Sequence, residues 1–351
     1  MSPPPAPPTR APSPGPPLPR ARGPLSGAWL DAVRSRPGDA TFPSRVDPTS
    51  GDPLSDDDLQ LALYCCYELH YRGFAGVDPA WEWDPALLAW RAALETAFLD
   101  AVRDLRPRAP CAAGTVERLR ALLDGHEGPS LSSHVLERGT LAQMREFCIH
   151  RSAYQLKEAD PHTWGIPRLA GRAKAAMVAL QADEYGAGDP RAMHAALFAE
   201  TMRSLGLDTA YGAYLDVLPG TTLATVNLIS LLGLHRRWRG AVVGHLAGFE
   251  MTSVVPMARY AAALHRLGVG AAGRRFYEVH VAADAEHEVL AVNEMVAPLV
   301  EDEPGLAADL LFGAEALLLV EDRFTRALLD AWAERRTSLL APAGDGAVRV
   351  A

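Results

Sequence analysis

From about Asp56 onward, apolar positions recur at three- and four-residue intervals, the period of an amphipathic helix. "SDDDLQLALYCCYELHYRGF" offers Ser55 as an N-cap, with acids in the first turn. "DPALLAWRAALETAFLDAVRDL", Asp84 to Leu105, opens with Asp and then Pro, a helix start. "TVERLRALLDG" closes at Gly125 and "TLAQMREFCIHRSAYQLKEADP" at Pro161. "GRAKAAMVALQADEYG" stops at Gly186, and "DPRAMHAALFAETMRSLGL" restarts at Asp189 and Pro190. Helical patterning then covers Thr221 to Leu234, Trp238 to Leu267, Gly273 to Val300 and a last run from Pro304 to Arg336. No alternating strand pattern of useful length and no repeat of fixed period interrupts it. The expectation is an all-α bundle of roughly eight to ten helices.

Composition narrows the class. The chain has 351 residues, 48% hydrophobic and 22% charged, as in ordinary globular proteins. A net charge of -9 argues against nucleic acid as a partner, because phosphate binding needs a basic patch. No apolar run reaches membrane-spanning length, so no membrane partner is expected. Cys65, Cys66, Cys111 and Cys148 form no paired framework, which points to a reducing, cytoplasmic setting. Four segments follow: a disordered Pro-rich tail over 1–25, a helical N-terminal extension over 26–130, a main helical domain over 131–340 and a flexible C-terminal tail over 341–351.

The chemistry gathers in "YEVHVAADAEHEVL". Helical turning at ~100° per residue places His280, Asp284 and His287 within an arc of roughly 60°. Two imidazoles and a carboxylate on one stripe form a half-site for iron, manganese or zinc. The same spacing also fits two histidines satisfied by ordinary hydrogen bonds. A site in a bundle needs donors from facing helices. Candidates are Glu158 in "YQLKEADPHTW", Glu184 in "ALQADEYG", His194 ten residues later, and Glu250 in "AGFEMTSVVP". Glu250 is the strongest hint, since an isolated carboxylate among small apolar residues is costly to bury. His162 and Trp164 are candidates for a pocket wall. His245 is set aside as a ligand, being five residues from Glu250. Tyr67, Glu68, His70 and Tyr71, like Trp81, Trp83 and Trp90, are read as structural or interface positions.

Taken in order, "ALYCCYELHYRGFAG", "WEWDP", "QLKEADPHTW", "LQADEYG", "MHAALF", "GFEM" and "YEVHVAADAEHE" resemble the haem-oxygenase-like di-iron oxidases, also called iron-containing redox enzymes. The resemblance runs from about Leu59 to Leu290. It implies a haem-oxygenase-like helical bundle holding two Fe ions, loaded as Fe2+ with O2 as co-substrate, Mn being able to substitute. The implied metal ligands are Glu158, Glu184, His194, Glu250, His280, Asp284 and His287. Glu184 matches an additional carboxylate that goes with members oxygenating nitrogen. The implied function is O2-dependent N-oxygenation of a small amine or amino-acid-derived substrate in a biosynthetic pathway. The alternatives are a di-iron desaturase or C–C bond-cleaving oxidase acting on an amino acid or fatty acid, and a non-catalytic binder on the same fold. The implied partners are a small-molecule substrate, O2 and an electron donor, with room for a homodimer.

Overall fold

The computed structural model describes residues 15–48, 51–104 and 114–341. The expected C-terminal tail lies outside the described residues, apart from residue 341. The described residues are helical with no strand, as the periodicity predicts. Helices α1 (Pro24–Val33), α2 (Asp57–Glu68), α3 (Pro85–Asp104) and α4 (Thr115–Asp124) come first, and α2 packs on the later helix Gly220–Leu234. They are followed by α5 (Leu131–Arg138), α6 (Leu141–Gln155), the single turn α7 (Asp160–Thr163), α8 (Gly171–Glu184) and α9 (His194–Ser204). The rest comprises α10 (Gly220–Leu234), α11 (Arg239–Arg266), α12 (Ala271–Leu290), α13 (Ala297–Asp302) and α14 (Ala307–Ala333). Twelve of these reach eight residues or more, so there are more and shorter helices than eight to ten.

Local chemistry shifts several boundaries. Asp56, not Ser55, caps α2: its carboxylate accepts from the backbone N–H groups of Asp58 and Leu59. Ser55 instead donates to Asp52. Asp189 and Pro190 do not start α9. The Asp189 carboxylate is used by Arg191 in a turn, and the helix begins at His194. The run expected from Gly273 to Val300 is divided by a wide π-helical turn at Ala291–Val296. Part of the expected tail is also placed. Pro16 and Pro19 are buried, Ala75 N–H donates to Pro16 O, and Arg20 pairs with Asp216 at 3.0 Å.

Helix α11 is the central strut, packed on α12 and α14. Glycines make that approach close. A Cβ on Gly244 would enter the carbonyl of Leu310, and one on Gly313 would enter that of Ala241. The most apolar 18-residue window of segment Arg236–Arg266 has a mean hydropathy of 1.2, enough by length and composition to cross a membrane, but half of that window is buried in this core. In the extension, Trp81 and Trp90 are core, while Trp83 is 67% exposed. Tyr67 and Glu68 are buried and internal: Tyr67 donates to Glu95, and Glu68 accepts from Lys157 and Tyr211.

Candidate metal centre

Five segments deliver carboxylates and imidazoles to one point. The helix that the sequence pattern carries to Pro161 stops at Gln155, before Glu158. Glu158 sits in the turn after α6, where Ala159 adopts a φ of 76° and the chain reverses into α7. Such a conformation is costly for a side-chain-bearing residue and clusters at functional sites. Glu184 is the last residue of α8 and His194 the first of α9. The link between them doubles back through Gly186, at φ 69°, where a Cβ would lie 2.6 Å from the Ala192 carbonyl carbon. Glycine is therefore required, and the tight return sets His194 Nδ1 2.7 Å from Glu184 Oε2. Glu250 projects from the middle of α11 and is buried. His280 and His287 come from α12, both buried. The side chain of Asp284, the third residue of that stripe, lies outside the described residues.

The donors fall into two groups that share one residue. Glu158, Glu184, His194 and His280 each offer a ligand atom, all within 4.8 Å of one another. Glu184, Glu250 and His287 do the same. Six of the seven residues read from the sequence are thus brought together, and Glu184 stands in both groups. The donor set is oxygen and imidazole nitrogen without thiolate, a fit for Fe2+ or Mn2+. Among the described residues, Oε2 of Glu158 is buried without a hydrogen-bond partner, an arrangement that a cation would relieve.

Outer contacts fix which imidazole atom faces inward. His280 Nδ1–H donates to Phe276 O at 2.8 Å, which leaves Nε2 facing Glu158 Oε1 at 3.7 Å. His287 Nε2–H donates to Asp183 Oδ2 at 3.1 Å, and its Nδ1 lies 3.4 Å from Glu250 Oε2. Sequence reading singled out no role for Asp183. It is 60% exposed, yet it is the residue that orients His287. Burial pushes the Glu158 and Glu250 carboxyls up. Burial also acts to lower the His287 imidazole, but the bonds to Glu250 and Asp183 outweigh it and raise it to about 9.

A cavity of about 60 Å³ adjoins the first group, lined by Tyr154, Gln155, His162, Gln181, Phe249 and Ser253 among others. Tyr154 stacks on Phe249 at 5.9 Å with an 8° interplanar angle. His162 lines the wall, as expected, while Trp164 does not. His245 belongs to neither donor group and faces His162 instead, ring nitrogens 3.1 Å apart. Sequence reading passed over Tyr154 and Phe249. The signal was available for Tyr154, four residues before Glu158.

The model of the family described as iron-containing redox enzyme matches residues 145–322, half of the chain. The match spans all seven candidate ligands and lies inside the expected 131–340 domain. The chain is also similar to nitrosourea synthase of Streptomyces achromogenes subsp. streptozoticus, with 28% identity over 162 residues. That region is 46% of this chain and 34% of the relative, so the chain aligns with about a third of the curated relative's length. The chain belongs to the iron-containing redox enzymes, and its all-α bundle is haem-oxygenase-like.

Proposed function

We propose that this iron-containing redox enzyme is a di-iron, O2-dependent N-oxygenase of a small amine or amino-acid-derived substrate. One observation carries the reading: Glu184 belongs to both donor groups, so two adjacent sets of residues could each hold an ion. Glu158, His194 and His280 would hold one iron and Glu250 and His287 the other, with Glu184 between them. Asp284 joins the set by its place on the α12 stripe. Bound iron supplies the O2 chemistry that side chains lack.

The chain's own groups do the positioning. Phe276 O holds the Nδ1 proton of His280, so Nε2 is the atom turned toward Glu158. Asp183 holds the Nε2 proton of His287, so Nδ1 is the donor on that side. The stacked Tyr154 and Phe249 form part of the cavity wall. The small cavity admits O2 and the reacting nitrogen rather than a whole substrate. Nitrogen is favoured over carbon by the extra carboxylate Glu184 and by the relative, whose name denotes formation of a nitrosourea. Insertion of one oxygen atom from O2 needs two further electrons, hence an electron donor. The buried free thiols Cys65, Cys66 and Cys148 suit a cytoplasmic setting.

The test is aerobic turnover of Fe(II)-loaded protein with a reductant and a panel of amines and amino acids, read by mass spectrometry. One added oxygen on nitrogen is expected. Loss of two hydrogens, or a cleaved carbon chain, would transfer the assignment to the desaturase or C–C-cleaving class.

A further inference from the structure

Beside the metal cavity lies a second, larger chamber of about 310 Å³. The two share Tyr154, Gln155, Phe249, Ser253 and Met257, so the chamber abuts the proposed reaction site directly. Its volume is at the small end of the range for ligand pockets. One wall is apolar, with Phe147, Tyr260, Tyr277 and Leu317. Another carries an ion pair that the metal centre does not use. Arg151 donates to Glu321 through Nη1 at 2.9 Å and Nη2 at 2.6 Å. Arg151 also lies over the Phe324 ring at 4.4 Å, which fixes the plane of the guanidinium. The two side chains are 18% and 22% exposed, so both remain accessible.

This pair is not used up by its own contact. A guanidinium has five N–H donors, and Glu321 takes two of them. Each carboxylate oxygen of Glu321 keeps a further lone pair. The chamber therefore presents a positive and a negative group side by side, at fixed spacing. A bare carboxylate entering it would meet Glu321 and also Asp322, which lines the same chamber. A bare ammonium would meet Arg151. A ligand carrying both charges on adjacent atoms matches both groups at once.

We infer that this chamber recognises a free α-amino acid, its carboxylate on Arg151 and its ammonium on Glu321, with the side chain running past Tyr154 and Met257 to the metal cavity. The inference rests on the proposed function only for the fate of the side chain. Recognition of the head group depends on the chamber alone. Arg151 and Glu321 are substrate-positioning residues in this account.

The experiment is calorimetric titration of the full chain, Fe(II)-loaded under argon so that no turnover occurs. The probes are L-ornithine and L-lysine, the diamines putrescine and cadaverine, and the ω-amino acids 5-aminopentanoate and 6-aminohexanoate. At least one of the two α-amino acids binds, and its counterparts, each lacking one head charge, bind about tenfold or more weakly. Glu321→Gln weakens the α-amino acid by a similar factor. Leu318→Trp, one turn before Glu321 on α14, fills the chamber and abolishes binding with the circular dichroism of the fold unchanged. Failure of both α-amino acids to bind overturns the inference, as does equal affinity for a diamine or ω-amino acid. A repeat on chelator-treated protein separates the two claims. Binding kept by a chain that takes up no iron sinks the di-iron reading alone, and iron uptake without amino-acid binding sinks this one alone.

Discussion

His150 gives a prediction whose size follows from the structure. It lies on α6, the helix that leads into Glu158, and is 1% exposed. Its Nδ1 is 2.7 Å from Thr222 Oγ1 and its Nε2 is 2.8 Å from Ser338 Oγ. The neutral ring thus ties α6 to α10 and to the segment after α14. Burial, helped by the nearby Arg151, lowers the imidazole from 6.5 to about 3. The sign follows from proton binding: between those values the unfolded chain holds a proton that the folded chain refuses. Stability from this group is full above pH 6.5, falls as pH drops below it, and stops falling near 3. At ~1.4 kcal/mol per pH unit, the loss between pH 7.5 and 5.0 is about 2 kcal/mol, with a ceiling of about 5 kcal/mol at lower pH. His150→Gln should be less stable at pH 7.5 but show a flatter pH profile. Urea unfolding of both proteins at pH 7.5 and 5.0 measures this. His162, lowered to about 3, and His245, lowered well below 6.5 by burial, act alike in both proteins, so the difference isolates His150. If the wild type and the variant lose equal stability to within about 0.5 kcal/mol, the reasoning fails.

Three further outcomes follow from the site and its supports. His280→Ala and His287→Ala each lose iron while the bundle stays folded, since apolar burial holds it; full iron retention by both variants would make them ordinary histidines. Asp183→Asn removes the charge that orients His287 and should weaken iron binding by about 10- to 100-fold, read by competition with a chelator. Gly244→Val forces α11 away from the Leu310 carbonyl and should cost about 1–3 kcal/mol, with iron affinity falling as Glu250 shifts; an unchanged thermal midpoint would contradict the close packing.

Much of this was legible in the sequence because period and punctuation have direct physical causes. The start of α3 at Asp84 and Pro85, and the stop of α8 before Gly186, were both written in residue type. Glu250 stood out because a carboxylate among small apolar residues must have a reason to be buried. What remained hidden depended on contacts distant in sequence. Asp183 gains its role only because α8 lies against α12, 104 residues away. Arg151 and Glu321 meet across 170 residues, and either alone reads as a solvated helix charge. Cap choice between neighbours, as with Ser55 and Asp56, turns on a few degrees of backbone that composition does not encode. That Glu184 would fall in both donor groups could not be read from a residue list, since it follows from the tight return at Gly186.

The central claim is a pair of iron ions joined at Glu184. The most direct test loads the chain with Fe(II) under argon, removes loose metal and counts iron per chain in the wild type and in Glu184→Ala. The account predicts about two irons in the wild type, as in other bundle carboxylate sites, and a marked loss in the variant because both groups surrender a donor. Iron near zero in folded wild type, a haem Soret band, or two irons retained by Glu184→Ala would contradict it.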